Sequence, residues 1–401
     1  MRRKRILFVL NAAGGGATQG IKEYLKFQKD IDAYLVLPAK PNSAQKQWIK
    51  EFTQGYLICK MPWWNIPNGM PWFYKKMLHW KNNREGSFGL KGADKIVEFI
   101  NSNSIDFVYS CSILIREGAM AAKKAGVKHI WHIKETFGEK GRVKFALKDK
   151  DLQEFILNHS EIVICMTEYI KSFFNQTYNS PKLVIIHDGI DPNLFSDGTL
   201  SKRKDIRKKY GVSEGEVLVG MVASLSSIWK NHQVFIKSAS FLNEHNNYRF
   251  IAFGPEPKKF RNPIYNTGYQ YFQQLKKLVI SLGLQERFIW AGFCEDIPAI
   301  FQGLDVFVHP CETEPFGRVV IEAMASGVSV IVPNEGGAFE PIKELSIGNA
   351  YEPNNDKDLA SAIKEVVNGG YKRNLDANFE ILSKSSYALN EYVKTMNRLF
   401  E

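Results

Sequence analysis

From Val306 to Val332 the chain reads as strand, loop, helix and strand. Val306-Phe307-Val308 is a short apolar run of the kind a buried strand shows. A polar loop follows, His309-Pro310-Cys311-Glu312-Thr313-Glu314-Pro315-Phe316-Gly317. The segment then turns helical, stops at Gly327, and runs into a second apolar strand, Val328 to Val332. The join of strand, loop and helix N-terminus suits an anion such as phosphate, because free backbone N–H groups and the helix dipole both point at it. Two glutamates, Glu314 and Glu322, lie across this turn with seven residues between them. Glu322 sits among Val319, Val320, Ile321, Ala323 and Met324, so the pattern predicts a carboxylate in apolar surroundings. Such a group is costly unless hydrogen-bonded. A ligand rich in hydroxyls would supply the partners, and a sugar nucleotide is such a ligand.

The same alternation runs along the whole chain. Arg5 to Leu10 reads as a buried strand, and a glycine-rich turn, Asn11-Ala12-Ala13-Gly14-Gly15-Gly16-Ala17, leads into a helical stretch from about Thr18. Glycine there lets backbone approach a ligand, so Gly15 and Gly16 are candidate contacts. The turn is not G-x-G-x-x-G followed by a ribose-binding acid, which argues against a nicotinamide site. Asp32 to Leu37, Phe107 to Ser110, His129 to Ile133, Ile162 to Cys165 and Leu183 to Ile186 read as further strands with helical segments between. After His187-Asp188-Gly189-Ile190-Asp191-Pro192-Asn193-Leu194-Phe195 and a charged helix, Lys202 to Tyr210, the pattern restarts. Its strands are Val217 to Val222, Arg249 to Phe253, Phe288 to Trp290, Val306 to Val308 and Val328 to Val332. Alternating strands and helices imply mostly parallel, doubly wound sheets, here two in succession. The end, Tyr387 to Phe400, has helical spacing of its apolar residues.

The Glu314 to Glu322 spacing, with Phe316-Gly317 inside it and Glu322-Ala323-Met324-Ala325-Ser326-Gly327 closing it, resembles the donor-site motif of the retaining GT-B glycosyltransferases of the family 4, or group 1, type. The resemblance is strong over residues 217–345 and looser over 1–190. It implies two Rossmann-like domains around a central cleft, the GT-B fold. The domains would be 1–190 for the acceptor, 191–384 for the nucleotide-sugar donor, and a C-terminal helix, 385–401, crossing back to the first domain. It implies transfer of a sugar from a UDP- or GDP-type donor to an acceptor hydroxyl. The acceptor class it implies is a lipid-linked or polymeric glycan of bacterial cell-surface polysaccharide synthesis, with a soluble small molecule as the alternative.

Carried residue by residue, the resemblance gives Glu314 the donor sugar's hydroxyls and Glu322 the ribose diol. The backbone N–H groups of Phe316, Gly317 and Arg318 would meet phosphate. Gly220-Met221-Val222-Ala223-Ser224-Leu225-Ser226-Ser227-Ile228-Trp229-Lys230-Asn231-His232 resembles the first donor-phosphate segment. Lys230 matches its lysine, but Ser224 stands where the family carries arginine, and Arg318 is the candidate to supply that charge. Phe253-Gly254, and Gly292-Phe293 with Glu295 and Asp296, resemble segments lining the nucleobase pocket. His132 ends the strand Ile130-Trp131-His132-Ile133, and strand C-terminal ends face the ligand crevice. The resemblance makes His132, with Glu314, a catalytic candidate; the plainer reading is a structural histidine beside Trp131.

Neither cofactor nor metal is expected. Asp30-Ile31-Asp32 and Asp149-Lys150-Asp151 have the Asp-x-Asp spacing of metal-dependent GT-A transferases, but both lie in polar, helix-like or loop-like sequence. The GT-B type neutralises its leaving diphosphate with lysine, arginine and helix dipoles instead.

Charge divides unevenly. Residues 1–190 hold 29 Lys/Arg and 17 Asp/Glu, a net of +12, and residues 191–401 hold 24 and 25, a net of −1. The basic half is expected to face phosphate, an anionic lipid surface or an acidic acceptor, unless it is simply a solvated face. Between Met61 and Lys81 tryptophan and lysine concentrate. Trp72, Lys75 and Lys76 would either lie at a peripheral anionic membrane or line the acceptor cleft. Five scattered cysteines without C-x-x-C, and no apolar run of membrane-span length, point to a reducing, cytoplasmic setting, at the inner face of the membrane if that contact exists. No nucleic-acid partner is expected, because no such module is recognisable and the basic residues are dispersed. Two rivals stand: an inactive GT-B partner or binding subunit, which the Ser224 departure would suit, and a sugar-nucleotide epimerase on the same fold.

Overall fold

The structure is a computed structural model that describes residues 2–12, 16–66, 90–174, 180–196, 200–242, 247–261, 266–370 and 373–401. The chain forms two compact units, Met1–Gly189 with Leu389–Glu401, and Ile190–Ala388. The passages between them fall at 189/190 and 388/389, where the sequence pattern puts them at 190/191 and 384/385.

The first unit is built on β1 (Lys4–Val9), β2 (Ile31–Leu37), β3 (Gly55–Ile58), β5 (Phe107–Ser110), β6 (Lys128–Ile133), β8 (Ile162–Cys165) and β9 (Leu183–Ile185). A short antiparallel ribbon joins β4 (Asn65–Ile66) to β7 (Lys144–Phe145). The seven-stranded sheet runs β3-β2-β1-β5-β6-β8-β9, every pair parallel. Both faces are covered, which is why β1 reads as an unbroken apolar run rather than an alternation. Ile6 and Phe8 enter one core with Ile21, Tyr24 and Leu25 of the helix Gly16–Phe27, while Leu7 and Val9 enter another with Ile96, Ala121 and Ala122.

The terminal helix Leu389–Arg398 completes the first of these cores. Leu389, Tyr392, Met396 and the following Phe400 recur every three to four residues, the stripe a helix lays on a core. Tyr392 packs on Tyr24 with centroids 6.2 Å apart, and the Tyr24 hydroxyl donates to Asn397 Oδ1 at 2.7 Å.

The second unit holds β10 (Val217–Val222), β11 (Tyr248–Phe253), β12 (Phe288–Gly292), β13 (Val306–Val308), β14 (Ser329–Pro333) and β15 (Asn349–Tyr351). They form one parallel sheet, β12-β11-β10-β13-β14-β15. Asp305, just before β13, is fully buried and accepts from Arg203, from Arg207 at 3.0 Å and from the backbone N–H of Leu218 at 2.7 Å. That cluster fastens the basic helix Leu200–Lys209 to the sheet.

Counted within its own sheet, each unit has the order 3-2-1-4-5-6, the first with a seventh strand added. In this topology the connections reverse direction between the first and fourth strands, and a crevice opens beyond their C-terminal ends. The switch lies between β1 and β5 in one unit and between β10 and β13 in the other.

Neither Asp-x-Asp pair sits in a ligand-holding turn. Asp149 and Asp151 begin the helix Asp149–Asn158, and Asp32 lies inside β2.

Candidate functional site

The second unit's switch point gathers most of the sequence candidates. The loop after β10 delivers Lys230, and the loop after β13 delivers His309 and Glu314. Lys230 Nζ donates to Glu314 Oε2 at 2.5 Å, and His309 Nε2 lies 2.9 Å from the same oxygen. An ionised carboxylate only accepts, so in this contact the imidazole carries its proton on Nε2. His309 is buried, while the Lys230 and Glu314 side chains keep 22% and 12% of their surface open. The pair is thus reachable from solvent but largely dry.

Loop conformation fixes the anchors. Gly317 adopts φ +80°, and a Cβ there would sit 2.8 Å from that of Ala338, so the turn into the helix Arg318–Ala325 requires glycine. That helix begins without a side-chain cap. Its first backbone N–H groups have no partner within the helix itself, and they mark the anion-attracting end. Phe316 is buried, its ring 6.1 Å from that of Tyr387. Gly254, at the end of β11, has φ +156°, and a Cβ would fall 1.9 Å from the Ala223 carbonyl oxygen. Its role here is to let two strand ends close on each other, whatever else it touches.

Glu322 departs from the expected apolar setting. Within Arg318–Ala325 the residues Val320, Ile321, Ala323 and Met324 are buried, whereas Glu322 lies one turn from Arg318 and accepts from its Nε at 2.9 Å. Apolar sequence neighbours flank it along the chain, but the 3.6-residue turn carries them to the other face. Arg318 therefore has a carboxylate partner on its own helix. At Ser224, the arginine position of the resembled motif, the hydroxyl lies 2.9 Å from that of Ser226. His232, which begins the helix His232–Ser240, is held neutral by burial and then by the Lys230 ammonium, its pKa pushed down to about 3.

In the first unit His132 is fully buried, facing the core of Tyr109 and Met396. Its Nδ1 lies 2.5 Å from the Tyr109 hydroxyl, and its Nε2 is buried with no hydrogen-bond partner among the described residues. Burial, then the nearby Lys134 charge, push its pKa well below the usual histidine range. This geometry fits the plainer reading, a structural histidine, rather than a group that touches a reacting atom.

The groups that do occupy the C-terminal ends of these strands are ones the sequence reading passed over. Lys134 Nζ bonds both oxygens of Asp188, at 2.8 and 2.6 Å, with both side chains almost wholly buried. Glu135 accepts from Ser112 Oγ at 2.5 Å and from the Ile113 N–H at 3.0 Å, and burial raises its pKa. Asn11 Nδ2 reaches Ser112 Oγ at 3.2 Å. The run Lys134-Glu135 directly after an apolar strand was the available signal. Gly16 begins its helix, while Gly15, Trp72, Lys75 and Lys76 lie outside the described residues. No helix among the described residues is long and apolar enough to cross a membrane.

With this geometry in hand, the similarities can be placed. Residues 202–380 match the family model described as glycosyl transferases group 1. Mannosylfructose-phosphate synthase of Agrobacterium fabrum is 29% identical over 50% of this chain and 44% of its own length. The chain spans about half the length of the first curated relatives it matches. A glycosyltransferase of Rickettsia africae superposes with a TM-score of 0.77 at 21% identity, over 100% of this chain and 98% of its own. Anabaena Alr3699/HepE, solved in complex with UDP-glucose, superposes at 0.75 with 20% identity, over 98% of each chain. Residues 202–380 are therefore a group 1 glycosyl transferase domain, borne on a chain with the GT-B fold.

Proposed function

We propose that this chain is a retaining glycosyltransferase that moves a sugar from a nucleotide diphosphate sugar to an acceptor hydroxyl. The observation that carries the reading is the Lys230–Glu314–His309 cluster at the second unit's switch point, one turn of chain from the uncapped helix that bears Arg318 and Glu322. Each carboxylate there is paired with a cation. A diphosphate can take over the cations and the helix N–H groups, leaving the carboxylates to accept from sugar hydroxyls: Glu314 from the transferred sugar and Glu322 from the ribose. The exchange keeps charge balanced throughout, and it suits a leaving group whose negative charge grows at the transition state. Arg318 stands in for the arginine that Ser224 replaces, and no metal ion takes part. The leaving phosphate oxygen accepts the acceptor's proton on the face it leaves, with the protein holding the two reactants together on that one face of the sugar.

The base is UDP- or GDP-type; the UDP-glucose complex of the Anabaena protein favours uridine. The acceptor is a lipid-linked or polymeric glycan held by the first unit, and the net +12 of residues 1–190 favours an anionic one. The Trp72, Lys75 and Lys76 segment is assigned to that acceptor or its membrane, and anionic-vesicle flotation of Trp72→Ala with Lys75→Ala and Lys76→Ala tests it.

The primary experiment is thermal shift with UDP, GDP, ADP, dTDP and their sugar conjugates, on wild type and Glu322→Ala. Saturating cognate nucleotide should add roughly 2–4 kcal/mol, and the gain should shrink in the variant. No response to any nucleotide would favour the inactive-partner reading. Conversion of the sugar nucleotide without an acceptor would favour the epimerase.

A further inference from the structure

We infer that the donor loop also holds a site for one thiophilic divalent cation of the zinc class, formed by His309 Nε2, Cys311 Sγ and Glu314 Oε2. Nothing in the transferase reading uses Cys311. Yet one ligand atom from each of these residues lies within 4.8 Å of the others, on one six-residue stretch of loop. The set is one nitrogen, one sulfur and one carboxylate oxygen, the donor mixture zinc takes.

The spacing supports it. With bonds of about 2.0–2.3 Å and tetrahedral angles, ligand atoms around zinc lie roughly 3.3–3.7 Å apart. The His309–Glu314 separation of 2.9 Å would open slightly, and the remaining separations, at most 4.8 Å, would close by roughly 1 Å. Pro310 and the buried state of His309 and Cys311 leave the loop little freedom to lose, and the 12% exposure of the Glu314 side chain gives the ion a way in. Three protein ligands leave a fourth position for water, as in an open zinc site.

Charge says what the ion would do. Thiolate and carboxylate together neutralise a divalent cation, with one proton released from the Cys311 thiol and the His309 proton moved to Nδ1. The Lys230 ammonium, now bound to the same Glu314 oxygen at 2.5 Å, cannot share it with the metal and must leave. Metal and lysine therefore compete for one carboxylate. Binding of the ion does not depend on the transferase reading. Its consequence does: an ion that removes Glu314 and repels Lys230 takes away the donor contacts proposed above, so it acts as an inhibitor competitive with donor.

The test uses cobalt(II) as the spectroscopic probe on the full chain. Wild type should show a sulfur-to-cobalt charge-transfer band in the near ultraviolet and visible ligand-field bands, saturating near one equivalent and erased by zinc(II). Cys311→Ser should lose the charge-transfer band, and Glu314→Gln should keep it while the visible bands weaken. Lys230→Met, which removes the competing cation, should bind cobalt tighter by roughly tenfold or more. Absence of the bands in wild type, their persistence in Cys311→Ser, or unchanged affinity in Lys230→Met would each overturn the assignment. A second arm reads the UDP thermal shift with and without one equivalent of zinc(II): it should fall in wild type and hold in Cys311→Ser. If UDP gives no shift, the transferase reading fails while the cobalt spectra still decide the metal site.

Discussion

The two units share a strand order yet use the same place in it differently. In the first, the ends of β5 and β6 are knitted shut: Lys134 with Asp188, Glu135 with Ser112, His132 with Tyr109. In the second, the ends of β10 and β13 carry Lys230 with Glu314 and Arg318 with Glu322, paired but partly open. A sealed ion pair and an accessible one differ in what breaking them does. Losing one partner of the sealed pair strands a charge in low dielectric. Losing one partner of the open pair lets water take its place, so the loss falls on binding rather than on folding. One topology thus supplies both a lock and a socket.

The sharpest way to break this contrast is Asp188→Ala. With the Lys134 ammonium left buried and unpaired, stability should fall by about 3–5 kcal/mol, read as an earlier urea transition. Lys134→Met combined with Asp188→Leu should recover much of that. If the single variant costs under about 1 kcal/mol, the pair is not sealed and the contrast fails. Next in size is Lys230→Ala, expected to leave the urea midpoint nearly unchanged while removing most of the roughly 2–4 kcal/mol gained from saturating cognate nucleotide. A large loss of stability without ligand would make it structural instead.

Acid offers a control that should not distinguish the units. His129 in the first and His232 in the second are each buried neutral, with pKa near 3. The unfolded chain protonates both near pH 6.5, so it binds more protons than the fold between about 6.5 and 3, and stability falls as pH drops through that window. At pH 5.5 each should cost about 1.4 kcal/mol, seen by peptide-resolved hydrogen exchange as similar losses in both units. Loss confined to one unit would show that the other histidine is not held neutral. The smallest effect is Tyr109→Phe. It leaves His132 without its hydroxyl partner and should cost about 1 kcal/mol with no change in nucleotide response; an altered response would return His132 to the reacting centre.

Much of the fold was legible because strands covered on both faces write themselves as unbroken apolar runs, as in β1, β10 and β13. The strands of the two large sheets that escaped notice are edge pieces with half-exposed patterns: β3 alternates and β15 buries only Tyr351. In the site, Lys230, Glu314 and Glu322 were marked by motif, but their partners were not. Reading Glu322 from its chain neighbours ignored the helical turn that hands it to Arg318. The Lys134–Asp188 pair joins residues on either side of three strands and two helices, and no local pattern encodes it. For His132 a catalytic and a structural reading stood side by side, and position at a strand end could not choose between them; the structure buries the side chain against Tyr109.

The terminal helix belongs to the first unit, with all of Ile190–Ala388 lying between it and the residues it packs on. At ribosomal rates of about 5–20 residues per second, Phe8, Tyr24 and Tyr109 are made tens of seconds before Tyr392 and Phe400 exist to cover them. For that interval the nascent first unit shows an aromatic face to the cell. Ile190 and Ala388 bridge side by side, so the second unit enters and leaves at one point and can fold while the first waits. The order of synthesis makes Leu389–Glu401 the segment that covers this face.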